Sequence, residues 1–442
     1  MTSTTISSLW REANESRTQP WIALLLALAA SAPRIWFVLL EHPPGLYVAG
    51  DMAHYEACAE HVRRGVATVA DTFTPVGYPA LLAFLFALAP KGYVLVAWVH
   101  VLLGSATVGL VHLVAYRVLG SFPFSLGASL ATSLYFPIIF YAGFLLSETI
   151  FGFLVVLSVW LALRACDRGT RPSRLWVGMA MAAATLVRPN FAMAIPIVLA
   201  WGAAFDRNRA HARFVRWTLA GALPLLLAVC TYNSWLAGRP TGIATNGGVN
   251  FFLAHSDYTS VRFPAGDAIG GIAPRPNAVN ESARVFDAPF HAYDESAFYR
   301  LAIENLLRRP ARLFLDLQHI TDGFGLGLVG YWPGYMGRDA WLVVSGQALF
   351  WVCVIPSCLH LAFLAFRRPL DLREHAARAL MWGVLGSMVL TLYLFLGDPR
   401  IRVPFDPLWI VLGTDAWRHF FFWARALHKS GRVGAMDGIS PE

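Results

Sequence analysis

The feature that most constrains the fold of this chain is a series of apolar runs separated by short polar turns, each near the roughly 20 residues that a helix needs to cross a bilayer. Within the hydrocarbon core the backbone has to be helical, because only then are its hydrogen bonds satisfied. Only 14% of the residues are charged and 57% are hydrophobic, whereas soluble chains carry about a quarter charged residues. The sequence therefore predicts an all-α polytopic membrane protein.

The arginines around these runs predict the orientation of the chain. Arg11 and Arg17 precede the first run, and basic turns follow several later ones, a bias typical of cytoplasmic loops. Both termini are therefore expected in the cytoplasm, and residues 41–92 form the first outer loop. The short run 76–89 is expected to lie flat in the outer interface, since a crossing there would move several arginine-rich turns outside. About ten spans result, at 21–40, 93–116, 122–145, 148–164, 175–187, 190–204, 216–236, two ending at Arg367 and Asp398, and 403–423.

This topology divides the chain into three regions. Residues 1–236 form a predicted transmembrane catalytic module, 237–340 an outer, periplasmic segment, and 341–442 the last transmembrane helices with a cytoplasmic tail. The outer segment is polar and rich in glycine and proline. It holds one helix-like stretch at about 294–320, which Arg308-Arg309-Pro310 interrupts.

The net charge of +8 does not indicate a nucleic-acid partner. Most arginines lie in the short turns between apolar runs, where the membrane topology already explains them. The five cysteines show no spacing typical of a metal site or a disulfide, and most fall within spans, where they act as small apolar residues. We therefore expect a lipid bilayer, and no nucleic acid, as a partner.

Several charged residues are predicted to converge at the outer face, each at a span end or in a short turn. Two separated acids and several cations at one membrane surface suggest a site for an anionic substrate carried by a lipid. Arg34 differs from them because it lies within the first span, where a cation is costly unless it is paired or reaches an interface. The converging residues are Asp51, Glu148, Arg188, Asp398, Arg400 and Arg402.

Each of these residues also has an ordinary structural explanation. Asp51 could cap the helix 52–64, and Glu148 could cap the span that it begins. Arg188 could snorkel to the interface. Asp398 and Arg400 could form a surface salt bridge of little energetic weight. The functional interpretation therefore depends on the convergence of the residues and not on any one of them.

Short motifs occur in a fixed order along the chain. A first span is followed by GD-x-x-x-Y at 50–55, GYP at 77–79, LLSET at 145–149, LVRPN at 186–190 and GDPRIRVPFDP at 397–407. In this order the chain resembles the GT-C superfamily of membrane glycosyltransferases over essentially its whole length. The branch that it resembles most contains the dolichyl-phosphate-mannose protein mannosyltransferases and the bacterial lipid A aminoarabinose transferase.

The resemblance implies a GT-C fold with interfacial helices in the first outer loop, a polyprenyl-phosphate-sugar donor and an inverting transfer on the non-cytoplasmic face. It implies Asp51 as general base and Glu148 as a second acid. Two departures from the family pattern stand out: Gly50-Asp51-Met52 carries a single acid, and Thr74-Pro75-Val76 precedes the GYP turn. The residues that the resemblance places at the donor are Tyr78, Lys91, Arg400 and Arg402.

The chemistry of such a transfer fits these residue types independently of the resemblance. A carboxylate can take the proton of the acceptor as its oxygen attacks the anomeric carbon. Guanidinium groups, with Arg188 a further candidate, can bind the phosphate of the leaving lipid and stabilise its growing charge. The scheme requires no cofactor, and a divalent metal remains compatible with it. Candidate substrate contacts are His54, Tyr55, Asn250 and His255, the two histidines having ordinary interfacial hydrogen bonds as their alternative.

Other functions and several partners stay open at this point. A polymerase or ligase of lipid-linked sugars would work at the same face on a diphosphate-linked donor, and a transporter or flippase would place its ionisable residues near the membrane midplane. The acceptor is a lipid, a glycan or a protein, and its choice is expected to depend on the outer segment, including residues 246–250. Short cytoplasmic turns favour a bacterial inner membrane, with the site facing the periplasm.

Overall fold

The computed structural model describes residues 17–89, 91–206, 211–265, 267, 271–272, 284–326, 339–367, 375–395 and 397–436, and these are mostly helical. The helices up to the outer segment form one bundle with its first outer loop. They are α1 (Gln19–Glu41), α2 (Asp51–Arg64), α3 (Gly77–Leu88), α4 (Tyr93–Leu119), α5 (Phe122–Leu134), α6 (Phe136–Ala142), α7 (Glu148–Arg168), α8 (Arg171–Val187), α9 (Ala194–Phe205) and α10 (His211–Ala237).

The outer segment has a small apolar core of its own, in which Phe252 and Phe298 are buried. Phe73 of the first outer loop packs into the same core, and the backbone N–H of Thr245 donates to the carbonyl of Thr72 at 2.9 Å. The central strand of its sheet pairs with one neighbour antiparallel and with the other parallel, in the order β2-β1-β3. Its elements are α11 (Gly247–Ala254), β1 (Ser260–Arg262), β2 (Gly271–Ile272), β3 (Val285–Asp287), α12 (Glu295–Arg308), α13 (Arg312–Leu315) and α14 (Gln318–Gly323).

The sequence predicted part of this segment. The helical stretch at about 294–320 is confirmed, and it is interrupted after Arg308 as expected, because Pro310 cannot donate a backbone hydrogen bond within a helix. Helix α11 and the three short strands were not predicted. The last helices of the chain are α15 (Ala340–Ala365), α16 (Ala376–Leu394), α17 (Pro399–Arg402) and α18 (Asp406–Met436).

Six helices of the described residues are long and apolar enough to cross a membrane, or seven if the bent pair α5 and α6 counts as one span. The predicted class, an all-α multi-pass membrane protein, is thereby confirmed. The number of about ten spans and the GT-C fold stay predictions. The six helices are α1, α4, α7, α10, α15 and α16.

The span predicted at 122–145 is not one straight helix. Helices α5 and α6 meet at a bend of 47° at Tyr135, and α6 ends at Ala142. Pro137 explains the break, because it has no N–H to donate and its ring would clash with the preceding turn of a continuous helix. The interruption turns the hydroxyl of Tyr135 toward Asp406, to which it donates at 2.8 Å.

Helices α7 and α8 form an antiparallel pair, with Arg188 at the end of α8. The bundle thus has two ends, which we call the site end, holding Glu148 and Arg188, and the far end. At the far end Arg117 pairs with Asp167 at 2.8 Å, and a buried Arg174 pairs with Asp206 at 2.6 Å. Arg188 lies between α8 and the short 3₁₀ turn Pro189–Met193 that leads into α9.

The first outer loop packs against α8 through α3. With 12 residues, α3 is about 18 Å long, too short to cross a hydrocarbon core of about 30 Å. A Cβ on Gly77 would lie 2.6 Å from the backbone of Leu186, so only glycine permits the close approach. This contact positions the loop directly beside Arg188.

Candidate active site

Asp51 and Arg400 form an ion pair at the site end. Asp51 is the first residue of α2, and Gly50 before it takes a φ of +54°, a conformation that favours glycine. The Asp51 carboxylate does not cap α2. Its Oδ2 accepts a hydrogen bond from Nη2 of Arg400 at 2.7 Å. The side chain of Asp51 is 50% exposed and that of Arg400 is 15% exposed, so the pair borders on solvent.

Glu148 extends this pair to a second arginine. It is the first residue of α7, and its side chain is only 1% exposed. Its Oε1 lies 2.7 Å from Nε of Arg400 and also accepts a hydrogen bond from Nη2 of Arg188. Nε of Arg188 donates to Oγ of Ser147 at 3.0 Å. Two carboxylates and two guanidinium groups therefore alternate in one continuous cluster.

The turn before α17 aims Arg400 at this cluster. Asp398 caps α17, because its Oδ1 accepts a hydrogen bond from the backbone N–H of Arg400 at 2.8 Å. A Cβ on Gly397 would lie 2.4 Å from the carbonyl oxygen of His319, so glycine is needed where the turn packs on α14. The contact between Asp398 and Arg400, which the sequence suggested as a surface salt bridge, is a helix cap made through the backbone N–H of Arg400.

The charges of the cluster reinforce one another. Burial opposes the ionisation of Asp51, but the charge and the hydrogen bond of Arg400 outweigh it and hold the pKa of Asp51 below its usual range. Burial likewise disfavours the charge on Arg400, yet Glu148 and Asp51 raise its pKa well above the usual value. Burial dominates at Asp398 and raises its pKa. Asp51 and Arg400 are therefore oppositely charged at neutral pH.

Aromatic side chains support the cluster from within the bundle. The rings of Tyr55 and Tyr78 meet edge to face at 5.2 Å. Nδ1 of His100 donates to the carbonyl of Ala142 at 2.9 Å, so its Nε2 accepts from the hydroxyl of Tyr78 at 3.4 Å. Burial, followed by the charge of Asp51, raises the pKa of Tyr55 to about 12. These contacts fasten α2 and α3 to α4 and so fix the position of Asp51.

Arg402 lies in a different cluster from Arg400. Residues two positions apart in a helix point about 200° apart around its axis, and Arg402 accordingly turns into the protein, where it is completely buried. Its Nε lies 3.0 Å from the carboxylate of Asp406, and its Nη2 donates to the hydroxyl of Tyr135 at 3.3 Å. The resemblance placed both Arg400 and Arg402 at the donor. The structure puts them in separate clusters.

Lys91 is also separate from the cluster. It is exposed, with a φ of +49°, and it follows the end of α3 that is opposite to Tyr78. The length of α3, about 18 Å, separates the two residues. Tyr78 thus belongs to the wall of the site, whereas Lys91 makes no ion pair with the described residues of the cluster.

The candidate substrate contacts differ in their positions. His54 is half-buried in α2, with Nε2 lying 3.4 Å from Sγ of Cys58, and burial lowers its pKa. Asn250 is half-buried in α11. His255 is buried and connects two parts of the fold, because its Nδ1 lies 2.6 Å from Asp316 and its Nε2 donates to the carbonyl of Leu394 at 3.0 Å. His255 therefore makes ordinary hydrogen bonds, which the sequence analysis gave as its alternative role.

A cavity lies beside Glu148 within the bundle, and Gly104 and Thr149 are among the residues that line it. Arg34 packs against this wall, with Nε 3.0 Å from the position of a Cβ on Gly104. Nη1 of Arg34 donates to the carbonyl of Ala30 at 2.8 Å, while Nε and Nη2 have no hydrogen-bond partner within the described residues. Arg34, the cation that the sequence placed within the first span, is completely buried.

Two supporting residues were not singled out from the sequence. His100 and Tyr135 lie within or beside long apolar runs, where a single polar side chain gives no signal of its own. Their partners lie 42 and 271 positions away in the chain. Only the packing of the helices reveals what these two residues contact.

Comparisons with known proteins assign no family to the chain. No family model matches it, and neither a curated protein nor a solved structure matches it. We therefore base the function proposed below on the geometry of the cluster and on the motifs of the sequence.

Proposed function

We propose that this protein is an inverting glycosyltransferase that moves a sugar from a polyprenyl-phosphate donor to an acceptor on the non-cytoplasmic face of a membrane. The observation that carries the proposal is the contact of 2.7 Å between Asp51 and Arg400. It places a carboxylate, which can accept a proton, next to a guanidinium group, which can bind phosphate, at one end of the helical bundle. Transfer of a sugar from a lipid phosphate requires both groups.

Arg400 and Arg188 are suited to hold the lipid phosphate. Glu148 contacts both guanidinium groups and limits their motion, so little reorganisation is needed when charge develops on the leaving group. Each arginine keeps an exposed fraction, 15% for Arg400 and 12% for Arg188, through which a phosphate can reach it. A guanidinium can donate two hydrogen bonds to one phosphate. Arg402 is left out of this clamp because it is buried against Asp406.

Asp51 is the proposed general base. The acceptor oxygen forms a bond to the anomeric carbon as Asp51 takes the hydroxyl proton, and the bond between the anomeric carbon and the phosphate oxygen breaks. The products are a glycoside of inverted configuration and polyprenyl phosphate. When a lipid phosphate draws on the charge of Arg400, the pKa of Asp51 rises and its carboxylate becomes a stronger base.

The distribution of arginines supports a periplasmic site end. The far end holds a large share of the basic turns, and the positive-inside bias assigns such turns to the cytoplasm. The cluster at the site end is then reached from the outer leaflet, and the polyprenyl tail lies between spans without leaving the bilayer. A bacterial inner membrane is the proposed location. The basic residues of the far end include Arg117, Arg164, Arg168, Arg171 and Arg174.

Purified protein with a radiolabelled polyprenyl-monophosphate sugar tests this proposal. We expect polyprenyl phosphate to be released and the label to appear in a membrane acceptor fraction. The Asp51→Asn variant, prepared in the same detergent, provides the matched control and should release none. The same assay with a diphosphate-linked donor examines the polymerase or ligase alternative.

Three results would contradict the proposal. Exclusive use of the diphosphate donor would favour a polymerase or ligase. Movement of intact donor across a vesicle membrane without cleavage would favour a flippase. Equal release by the wild type and by Asp51→Asn would remove Asp51 from the chemistry.

A further inference from the structure

A second cluster of chemically reactive side chains lies at the far end of the bundle. His360 of α15 faces Asp415 and His419 of α18. Arg378, which contacts this cluster, stands near the start of α16, and α16 ends at Leu394, close to the turn that carries Arg400. Sixteen residues of helix separate Arg378 from Leu394, which corresponds to roughly 24 Å. The cluster is therefore too distant to take part in the proposed transfer.

The ligand atoms of these three residues have the spacing of a metal site. All three lie within 4.8 Å of one another. Nδ1 of His419 donates to the backbone carbonyl of Asp415 at 2.9 Å, which leaves Nε2 as its ligand atom, and Asp415 Oδ2 is 3.8 Å from Nδ1 of His360. A tetrahedral zinc ion with bonds of about 2.0 Å holds its ligand atoms about 3.3 Å apart. Small rotations of the two imidazole rings, whose centres are 4.3 Å apart, reach that geometry.

The surroundings hold these ligands in place. The four-residue spacing of Asp415 and His419 puts both on one face of α18. Arg378 donates to both carboxylate oxygens of Asp415, through Nε at 2.5 Å and through Nη2 at 2.9 Å. Hydrogen-bonded partners of this kind orient metal-binding carboxylates. Nδ1 of His360, 3.8 Å from Oδ2 of Asp415, is the candidate ligand atom, and the buried Nε2 of the same ring has no hydrogen-bond partner within the described residues.

The donor set determines the class of ion. Two imidazoles and one carboxylate suit zinc and its transition-metal neighbours. Magnesium and calcium require more oxygen ligands than this cluster offers.

We propose that His360, Asp415 and His419 form a three-ligand zinc site, with water as the fourth ligand, that fastens α15 to α18 at the far end. Asp415 and His419 lie 55 and 59 positions after His360 in the chain. That separation is much longer than the spacings of short zinc motifs, which explains why the sequence pattern did not reveal the site. The ion supports the fold and leaves the transfer chemistry to the site end.

Metal titration of the full-length protein tests the site. The purified chain is stripped with a chelator and titrated with Zn²⁺, and bound metal is measured by elemental analysis. A parallel titration with Co²⁺ reports the coordination through its visible absorption. We expect one ion per chain, a higher unfolding temperature with zinc, and affinity at least tenfold weaker in His360→Ala and in His419→Ala.

His375→Ala is the matched control. His375 lies beside the cluster, with Nδ1 3.0 Å from Nη1 of Arg378, but it is not one of the three ligands. The His375→Ala variant should bind zinc with the same affinity as the wild type. Where His360→Ala loses its cooperative unfolding transition, His360→Gln replaces it, because glutamine keeps the size of the side chain. Less than one ion per two wild-type chains, or unchanged affinity in both ligand variants, would overturn the proposal.

Discussion

Asp51 and Arg400 lie 349 positions apart in the chain, yet Oδ2 of Asp51 accepts a hydrogen bond of 2.7 Å from Nη2 of Arg400. The same guanidinium reaches Glu148 at 2.7 Å through its Nε. Arg400 thus contacts the half-exposed carboxylate of Asp51 and the buried carboxylate of Glu148. Because of this sharing, the two carboxylates are expected to respond differently to substitution.

Asp51→Asn should lower the transfer rate by at least about 100-fold, since a positioned general base contributes 10² to 10⁴. The change keeps the size of the side chain and removes its ability to take a proton. Initial rates with labelled donor measure the effect. Glu60→Gln, the same kind of change on the exposed side of α2, should retain full activity. Equal loss in both variants would assign the effect to α2 as a whole.

Arg400→Lys should raise the apparent KM for the donor more than it lowers kcat. A lysine keeps the charge but cannot contact Asp51 and Glu148 through two separate nitrogens as Arg400 does. Donor titrations at saturating acceptor provide the measurement. Arg402→Lys is the matched control two positions away: it should lower the unfolding temperature and leave the donor KM unchanged. A donor effect confined to Arg402→Lys would move the phosphate clamp to that residue.

The stabilising effect of the Asp51–Arg400 pair should depend on pH in one direction. The pKa of Asp51 is lower in the folded protein than its ordinary value, about 3.9 in an unfolded chain. Its contribution is therefore complete above about pH 5 and is lost as the pH falls through the folded-state pKa. The difference in unfolding temperature between the wild type and Asp51→Asn should be constant from about pH 5 to 8 and shrink below about pH 4. A difference that grows on acidification would contradict this sign.

Gly77→Ala should destabilise the protein by about 1–3 kcal/mol, the usual range for an overpacked contact. The added Cβ would stand 2.6 Å from the backbone of Leu186 and push α3 away from Arg188. Thermal unfolding and the transfer rate should therefore fall together. Gly127→Ala is the control, because a Cβ there meets no atom within 4 Å. Similar losses in both variants would show that the contact with Leu186 is not the cause.

Local patterns accounted for much of the fold. The run that became α7 was predicted at 148–164 and is observed at Glu148–Arg168, because a long apolar stretch in lipid has only the helix available. The break at Tyr135 was not predicted, although Pro137 gives a local reason for it. Residues 247–254 and the strands around Val261 were missed, because short elements depend on a core that forms from distant segments.

The candidate site shows the same division. The sequence placed Asp51, Glu148, Arg188 and Arg400 at one face, and the structure brings these four into one cluster. The sequence could not distinguish the role of Arg400 from that of Arg402, since both belong to one motif. Their directions are set by the short helix α17 and by the buried partners Asp406 and Tyr135.

The sequence by itself determined that this is a helical membrane protein and which charges stand at its span ends, because apolar length and arginine bias are properties of short stretches of chain. Tertiary structure alone decided which guanidinium meets which carboxylate. Contacts between residues hundreds of positions apart arise from the way helices pack, and a difference of two positions in α17 turns a side chain from the site into the protein interior.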